Sequence, residues 1–144
     1  MTIVERKTKF TLAARVDSKQ ADVVTAATIN LLLPYYDRVH TITSDNGKEF
    51  AYHEEIAMAL NTKVYFAHPY HSWGRGLNEN TNGLLRQYFP KHTDFKLISD
   101  MDLDEALIEL NNRSRKTLEF NTPVDLMERS LSKRSSKTTV ALQS

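Results

Sequence analysis

The sequence predicts an α/β fold, and three observations carry that expectation. β-branched segments alternate with stretches of helical periodicity in the order strand, helix, strand, helix, strand, a turn-forming run closes one of the strands, and two later helix starts carry capping signatures. Such alternation argues for a sheet with parallel pairs, whose functional groups collect at the C-terminal ends of strands. With 144 residues, 40% of them hydrophobic and 26% charged, the chain has the size and composition of one domain with its own core.

The elements follow in order. Thr2-Ile3-Val4, the polar stretch Glu5 to Thr8, and the run Phe10 to Val16 read as a β-hairpin. Asp17 or Ser18 is placed to cap a helix whose Ala21, Val24, Ala27, Thr28, Leu31 and Leu32 recur at helical spacing until Pro34. Val39 to Thr43 alternates as a strand and runs into the turn-former Ser44-Asp45-Asn46-Gly47, so Asp45 is expected where a strand ends. A short helix from about Tyr52 to Leu60 and a brief strand, Val64 to Ala67, come next. His68 to Gly76, with Pro69, Gly74 and Gly76, predicts an irregular loop. Leu77, Leu84, Leu85 and Tyr88 then mark a helix that ends by Pro90 and holds Glu79 in its first turn. Ser99 and Asp102 form a capping-box pattern for a helix through Leu103, Ala106, Leu107 and Leu110. Thr122-Pro123 supplies an N-cap followed by proline at the first helical position. The division expected is a core over residues 1–130 and a flexible, polar C-terminal tail over 131–144.

Composition removes much chemistry. There are no cysteines, which excludes disulfides, thiolate-bound zinc and thiol nucleophiles. No apolar run approaches the roughly 20 residues of a membrane span, and the first residues lack the order of a signal peptide, so a cytoplasmic protein with no membrane partner is expected. The formal charge of +1 does not announce a nucleic-acid binder, so any case for DNA must be local. Two basic clusters exist, Arg113, Arg115 and Lys116, and Arg129, Lys133, Arg134 and Lys137; on charge alone both read as solvated surface. His40, His53, His68 and His71 do not present a metal-ligand spacing.

Asp45 and Glu79, with 33 residues between them, are two carboxylates that a sheet edge can gather. Position alone favours a bland role for each: an Asp before Asn-Gly is usually a turn residue, and a Glu opening a helix answers its dipole. The surrounding motifs change that reading. Ser44-Asp45-Asn46-Gly47-Lys48-Glu49-Phe50, the run from Pro69 through Trp73, Asn78, Glu79 and Asn82 to Leu84, Tyr88-Phe89-Pro90-Lys91, Asn112 to Leu118, and Thr122-Pro123 resemble the DDE integrase and transposase superfamily, in particular the bacterial insertion-sequence-thirty transposases. The resemblance extends to about residue 130, with several long motifs in the right order and spacing.

That resemblance implies a ribonuclease H-like mixed sheet flanked by helices and an Asp, Asp, Glu triad, in which Asp45 is the second acid and Glu79 the third. Two Mg²⁺ (or Mn²⁺) ions are implied in a complete enzyme, held by hard carboxylate oxygens. The implied activity is DNA cleavage that frees a 3′ hydroxyl, followed by strand transfer to target DNA. His71, Trp73, Arg75, Asn78, Asn82, Arg86 and Lys91 become candidate DNA contacts, since donors around the Glu79 helix can hold phosphates and fix register without reading sequence. His71 can also position a catalytic water, and Trp73 can stack on an unpaired base.

The chain departs from the family pattern in several respects, among them a Ser/Lys-rich segment before Val140 that looks expanded. The first Asp, expected on a central first strand upstream of the hairpin, is absent, and Asp17 begins a helix rather than ending a strand. No upstream DNA-recognition helices precede Met1. Gly74 stands where these transposases often carry a larger polar or acidic residue. The expectation is therefore the C-terminal part of a transposase catalytic core, lacking the first strand and inactive alone. Transposon ends, target DNA, full-length transposase or a second copy are the expected partners, in the bacterial cytoplasm and nucleoid. A non-enzymatic fragment that binds DNA or full-length transposase as a regulator, or an inactive remnant, is the competing reading; a ribonuclease is a weaker one.

Overall fold

The computed structural model describes residues 1–68 and 72–133, with the backbone alone described for 72–75 and the side chain of Phe95 left out. Contacts divide the described residues into two units, one of Ala14–Gly76 with Met1, the other of Thr2–Ala13 with residues 77–133.

In the first unit, α1 (Ala21–Leu32) packs against α2 (His53–Ala59) and a short 3₁₀ turn at Lys48–Phe50. Val24, Leu32, Val39, Ile56 and Leu60 are buried there, which accounts for the spacing of apolar residues along both helices. The chain passes Pro34 in a 3₁₀ turn over Leu33–Arg38, because proline lacks the N–H that an α-helix interior needs. The expected cap at Asp17 or Ser18 is displaced. Gln20 is the N-cap of α1 and has no side-chain cap, while Ser18 Oγ accepts from the Gln20 N–H at 3.3 Å, serving the turn just before the helix.

β3 (Thr41–Ser44) and β4 (Lys63–Phe66) pair in parallel, with Ser44 opposite Phe66. The Ala67 N–H donates to the Ser44 carbonyl at 2.8 Å, so the ladder continues one residue past both strand ends. His53 of α2 meets Phe66 edge-on, with ring centroids 4.9 Å apart, and so ties the helix to the C-terminal end of β4.

In the second unit, β1 (Thr2–Val4) and β2 (Thr11–Ala13) form the expected antiparallel hairpin. Its turn is held from inside by Glu5, a buried residue whose Oε2 accepts from Thr8 N and Thr8 Oγ1, both at 2.7 Å. Thr11 is also clamped from a distant helix. The Thr11 N–H donates to Asn111 Oδ1 at 2.9 Å, and Asn111 Nδ2 donates to the Thr11 carbonyl at 2.8 Å. The Asn111 amide thus takes the place of a neighbouring strand at that point of β2.

Asn111 ends α4 (Asp100–Asn111), whose Leu107 and Leu110 pack with Leu85 of α3 (Ser72–Tyr88), joined by Ala13, Leu84, Tyr88 and Leu103. The predicted capping box is present: Ser99 Oγ accepts from Asp102 N, and Asp102 Oδ2 accepts from Ser99 N, both at 3.0 Å. That second bond, with help from the Ser99 hydroxyl, holds the exposed Asp102 carboxyl below the usual carboxylate range. A depressed carboxylate stabilises the fold above its unfolded-state pKa, and the contribution is lost as pH falls through the folded value, below about pH 4. Asp102→Asn is therefore expected to lower the melting midpoint at pH 7 and to differ less from the parent as the solution is acidified toward pH 3, in paired thermal melts.

α5 (Pro123–Ser132) starts as predicted, with Thr122 Oγ1 accepting from Asp125 N at 3.1 Å and Pro123 at the first position. The segment between α4 and α5 is strained: Glu119 and Phe120 have φ of 52° and 63°, in the left-handed region. Glu119 is exposed and needs no side chain there, so Glu119→Gly is expected to stabilise the protein by about 0.5–1 kcal/mol, read as a raised urea midpoint. Residues 134–144, where most of the flexible tail was expected, lie outside the described residues.

Among the described residues the anticipated mixed sheet is two separate two-stranded sheets, one antiparallel and one parallel. These are the two kinds of pairing that a mixed sheet combines, and no described strand is hydrogen-bonded to both.

Candidate nucleic-acid and metal site

Asp45 follows the last residue of β3, as its sequence position predicted. It therefore stands at the C-terminal end of the parallel pair, beside the Ala67–His68 end of β4. The carboxylate is exposed and takes part in no hydrogen bond or ion pair among the described residues. Two residues on, Gly47 has an ordinary φ of −83°, so it is not required for backbone freedom. It leaves room for Glu49, whose carboxylate lies where a Cβ on Gly47 would sit.

Glu79 is placed differently from the expectation. α3 begins at Ser72 rather than after Gly76, so Glu79 lies about two turns from the helix start, not in the first turn. Glycine lowers helix propensity by about 1 kcal/mol without blocking helical backbone, and Gly74 and Gly76 are carried along by it. Leu85 and Thr81 are buried, with Leu77, Leu84 and Tyr88 half-buried beside them, so one face of α3 faces the core. Glu79 is on the exposed side, also without a hydrogen bond or ion pair among the described residues.

Asn78, Asn82 and Arg86 follow one another at intervals of four and form one exposed stripe next to Glu79. Asn82 is partly committed, because its Oδ1 accepts from Thr2 Oγ1 of the hairpin at 3.0 Å, which turns its amide toward donating outward. Lys91 is exposed just past the helix end. Trp73 and Arg75 fall in the first turn of α3, where the backbone alone is described, and His71 lies outside the described residues. Among the described residues no group of three or more His, Asp or Glu side chains gathers to hold a metal ion. None of the helices described is long and apolar enough to cross a membrane.

No family model matches the chain. Over 123 residues it is 47% identical to the transposase for insertion sequence element IS4351 of Bacteroides fragilis, a match that covers 85% of this chain and 38% of that protein. It is 42% identical over 129 residues to transposase InsI for insertion sequence element IS30A of Escherichia coli K12, covering 89% of this chain and 34% of the relative. The transposase for IS1086 of Cupriavidus metallidurans is 39% identical over 126 residues. Among solved structures, the catalytic core domain of BIV integrase superposes with a TM-score of 0.68 at 21% identity, covering 92% of this chain and 86% of that one. A simian T-cell lymphotropic virus intasome, determined with a PP2A regulatory subunit, gives a TM-score of 0.67 at 21% identity, covering 83% of this chain and 44% of that one.

The fold is therefore that of an integrase catalytic core, a ribonuclease H-like α/β architecture. The relatives that match most of this chain are IS30-family insertion-sequence transposases. The chain spans somewhat more than a third of the length of the relatives it matches.

Proposed function

We propose that the chain contributes the second and third metal-binding carboxylates, Asp45 and Glu79, to a DDE transposase that cleaves a transposon end and transfers it to target DNA. The observation that carries this reading is that both acids, in the motifs of the resemblance, are solvent-facing and uncommitted among the described residues. An exposed carboxylate with free lone pairs suits Mg²⁺ or Mn²⁺, which take hard oxygen ligands together with water and substrate phosphate. Bound there, two such ions supply Lewis-acid stabilisation of the attacking and leaving oxygens in displacement at phosphorus.

This chain's own residues hold and orient. The exposed stripe of Asn78, Asn82 and Arg86, with Lys91 beyond it, offers hydrogen-bond donors and positive charge to a DNA backbone. Trp73, Arg75 and His71 complete the proposed contact set. Two carboxylates alone do not complete the acid triad that the resemblance implies. The isolated chain is accordingly expected to be inactive, and the partners proposed are transposon-end and target DNA, full-length transposase and further copies of the chain. The proposed location is the bacterial cytoplasm, at the nucleoid.

The test is Mg²⁺- or Mn²⁺-dependent nicking and joining of a transposon-end duplex, with Asp45→Asn and Glu79→Gln as controls. Activity of the isolated chain that both controls abolish would mean that a third ligand comes from elsewhere in this chain. Unchanged activity in both controls would remove Asp45 and Glu79 from the mechanism.

A further inference from the structure

The segment joining α4 to α5 holds a charged group that the transposase reading does not use. Arg115 is anchored there by its backbone: its N–H donates to the Asn121 carbonyl at 3.1 Å, and its own carbonyl accepts from Leu118 N at 3.0 Å and Phe120 N at 2.9 Å. The side chain is half-buried, and its Nε and Nη2 are buried without an acceptor among the described residues. A guanidinium stays protonated in proteins, so it cannot escape this burial by losing its charge. Buried donors left unmatched are costly, and more so on a charged group.

The surroundings make the imbalance larger. Burial and the neighbouring Arg113 both push the Arg115 guanidinium below its ordinary pKa. Arg113 is itself pinned, with Nη1 donating to Gln87 Oε1 and Nη2 to Tyr88 Oη, both at 2.9 Å, and with its guanidinium carbon 5.6 Å from the Tyr88 ring centroid. It is not free to swing away from Arg115. Lys116 follows, exposed. Glu109 and Glu119, the nearest acids in the sequence, are exposed and form no ion pair among the described residues.

We propose that Arg115 is the centre of an oxyanion site between α4 and α5 that takes a phosphate group, with Arg113 and Lys116 supplying the surrounding positive field. The planar fork of donors matches two oxygens of a tetrahedral oxyanion, and three cations that form no ion pair among the described residues suit a phosphate group. The proposal does not rest on Asp45 or Glu79, and it stands or falls independently of any transposase activity. The phosphate can be a free ion or a phosphodiester of a DNA backbone, and the experiment separates the two.

The Arg115 Nε–H resonance of the whole chain is followed by ¹H–¹⁵N NMR during titration with inorganic phosphate, with sodium chloride at matched ionic strength as control. A saturable shift with phosphate that chloride does not reproduce is expected, together with a rise in melting midpoint as the bound form is stabilised. Arg115→Met should weaken phosphate binding at least about tenfold while leaving the midpoint in phosphate-free buffer unchanged or higher, since it removes an uncompensated buried charge. Arg115→Lys, which retains the charge and loses the fork, should also bind more weakly. In a second arm a short DNA duplex replaces phosphate. A shift by duplex that phosphate competes away assigns the site to a DNA backbone; a response to phosphate but not to duplex assigns it to a free oxyanion. An Nε–H that neither ligand moves beyond the chloride control overturns the proposal. So does undiminished phosphate binding by both variants.

Discussion

Joined in one polypeptide to the upstream part of its Bacteroides fragilis relative, this chain is expected to nick and join a transposon-end duplex in Mg²⁺. Asp45→Asn or Glu79→Gln is expected to reduce that activity by about 10³-fold or more. The size follows from what the substitutions remove. An amide has nearly the shape of the carboxylate but no charge, and a hard divalent cation bound by few protein ligands depends on that charge. Several kcal/mol of transition-state stabilisation rest on the metal, and each 1.36 kcal/mol is about tenfold in rate. Both carboxylates are exposed and bond to nothing among the described residues, so the substitutions should leave the fold intact. Thermal melts with and without Mn²⁺ check this: equal midpoints without metal, and a metal-dependent rise that each substitution diminishes. Loss of activity accompanied by a lower metal-free midpoint would instead give the acids a structural role.

The second large effect concerns stability. Asn111→Leu is expected to destabilise the protein by about 3 kcal/mol, because it leaves both the N–H and the carbonyl of buried Thr11 without partners, at roughly 1–3 kcal/mol for each orphaned group. Asn111→Asp should do no better, since it sets a carboxylate oxygen against the Thr11 carbonyl. The neighbouring Asn112 is the control. Its Nδ2 donates to the Ile108 carbonyl at 2.8 Å at an exposed helix end, where water can replace the bond, so Asn112→Leu should change stability by about 0.5 kcal/mol or less. Urea unfolding separates the pair: a large fall in midpoint at an unchanged slope for Asn111→Leu, and little change for Asn112→Leu. Similar midpoints for both would mean that the Asn111 clamp contributes little to holding β2.

The features legible in the sequence are those decided within a few residues. The capping box at Ser99 and Asp102 and the Thr122-Pro123 start are local hydrogen-bond and dihedral devices, and both helices begin where those residues predicted. Asp45 ends its strand because an alternating β-branched run meets a turn-former, again a local matter. The hairpin, the order of strands and helices, and the similarity to transposases were likewise within reach of the sequence, the last through motifs rather than periodicity.

What only the tertiary structure decided involves partners far apart in the chain or a local preference that packing overrode. The glycines near the start of α3 predicted a loop, yet the helix begins at Ser72, which moves Glu79 about 1.4 turns inward. Nothing near Asn111 marks it as the clamp on Thr11, 100 residues away. The basic run Arg113, Arg115 and Lys116 read as solvated surface, but Arg113 is spent on Gln87 and Tyr88 of α3, and Arg115 buries two donors. Sequence spacing reports which residues can share a face of one element. Which polar group then finds a partner, and which is left without one, depends on how distant elements pack.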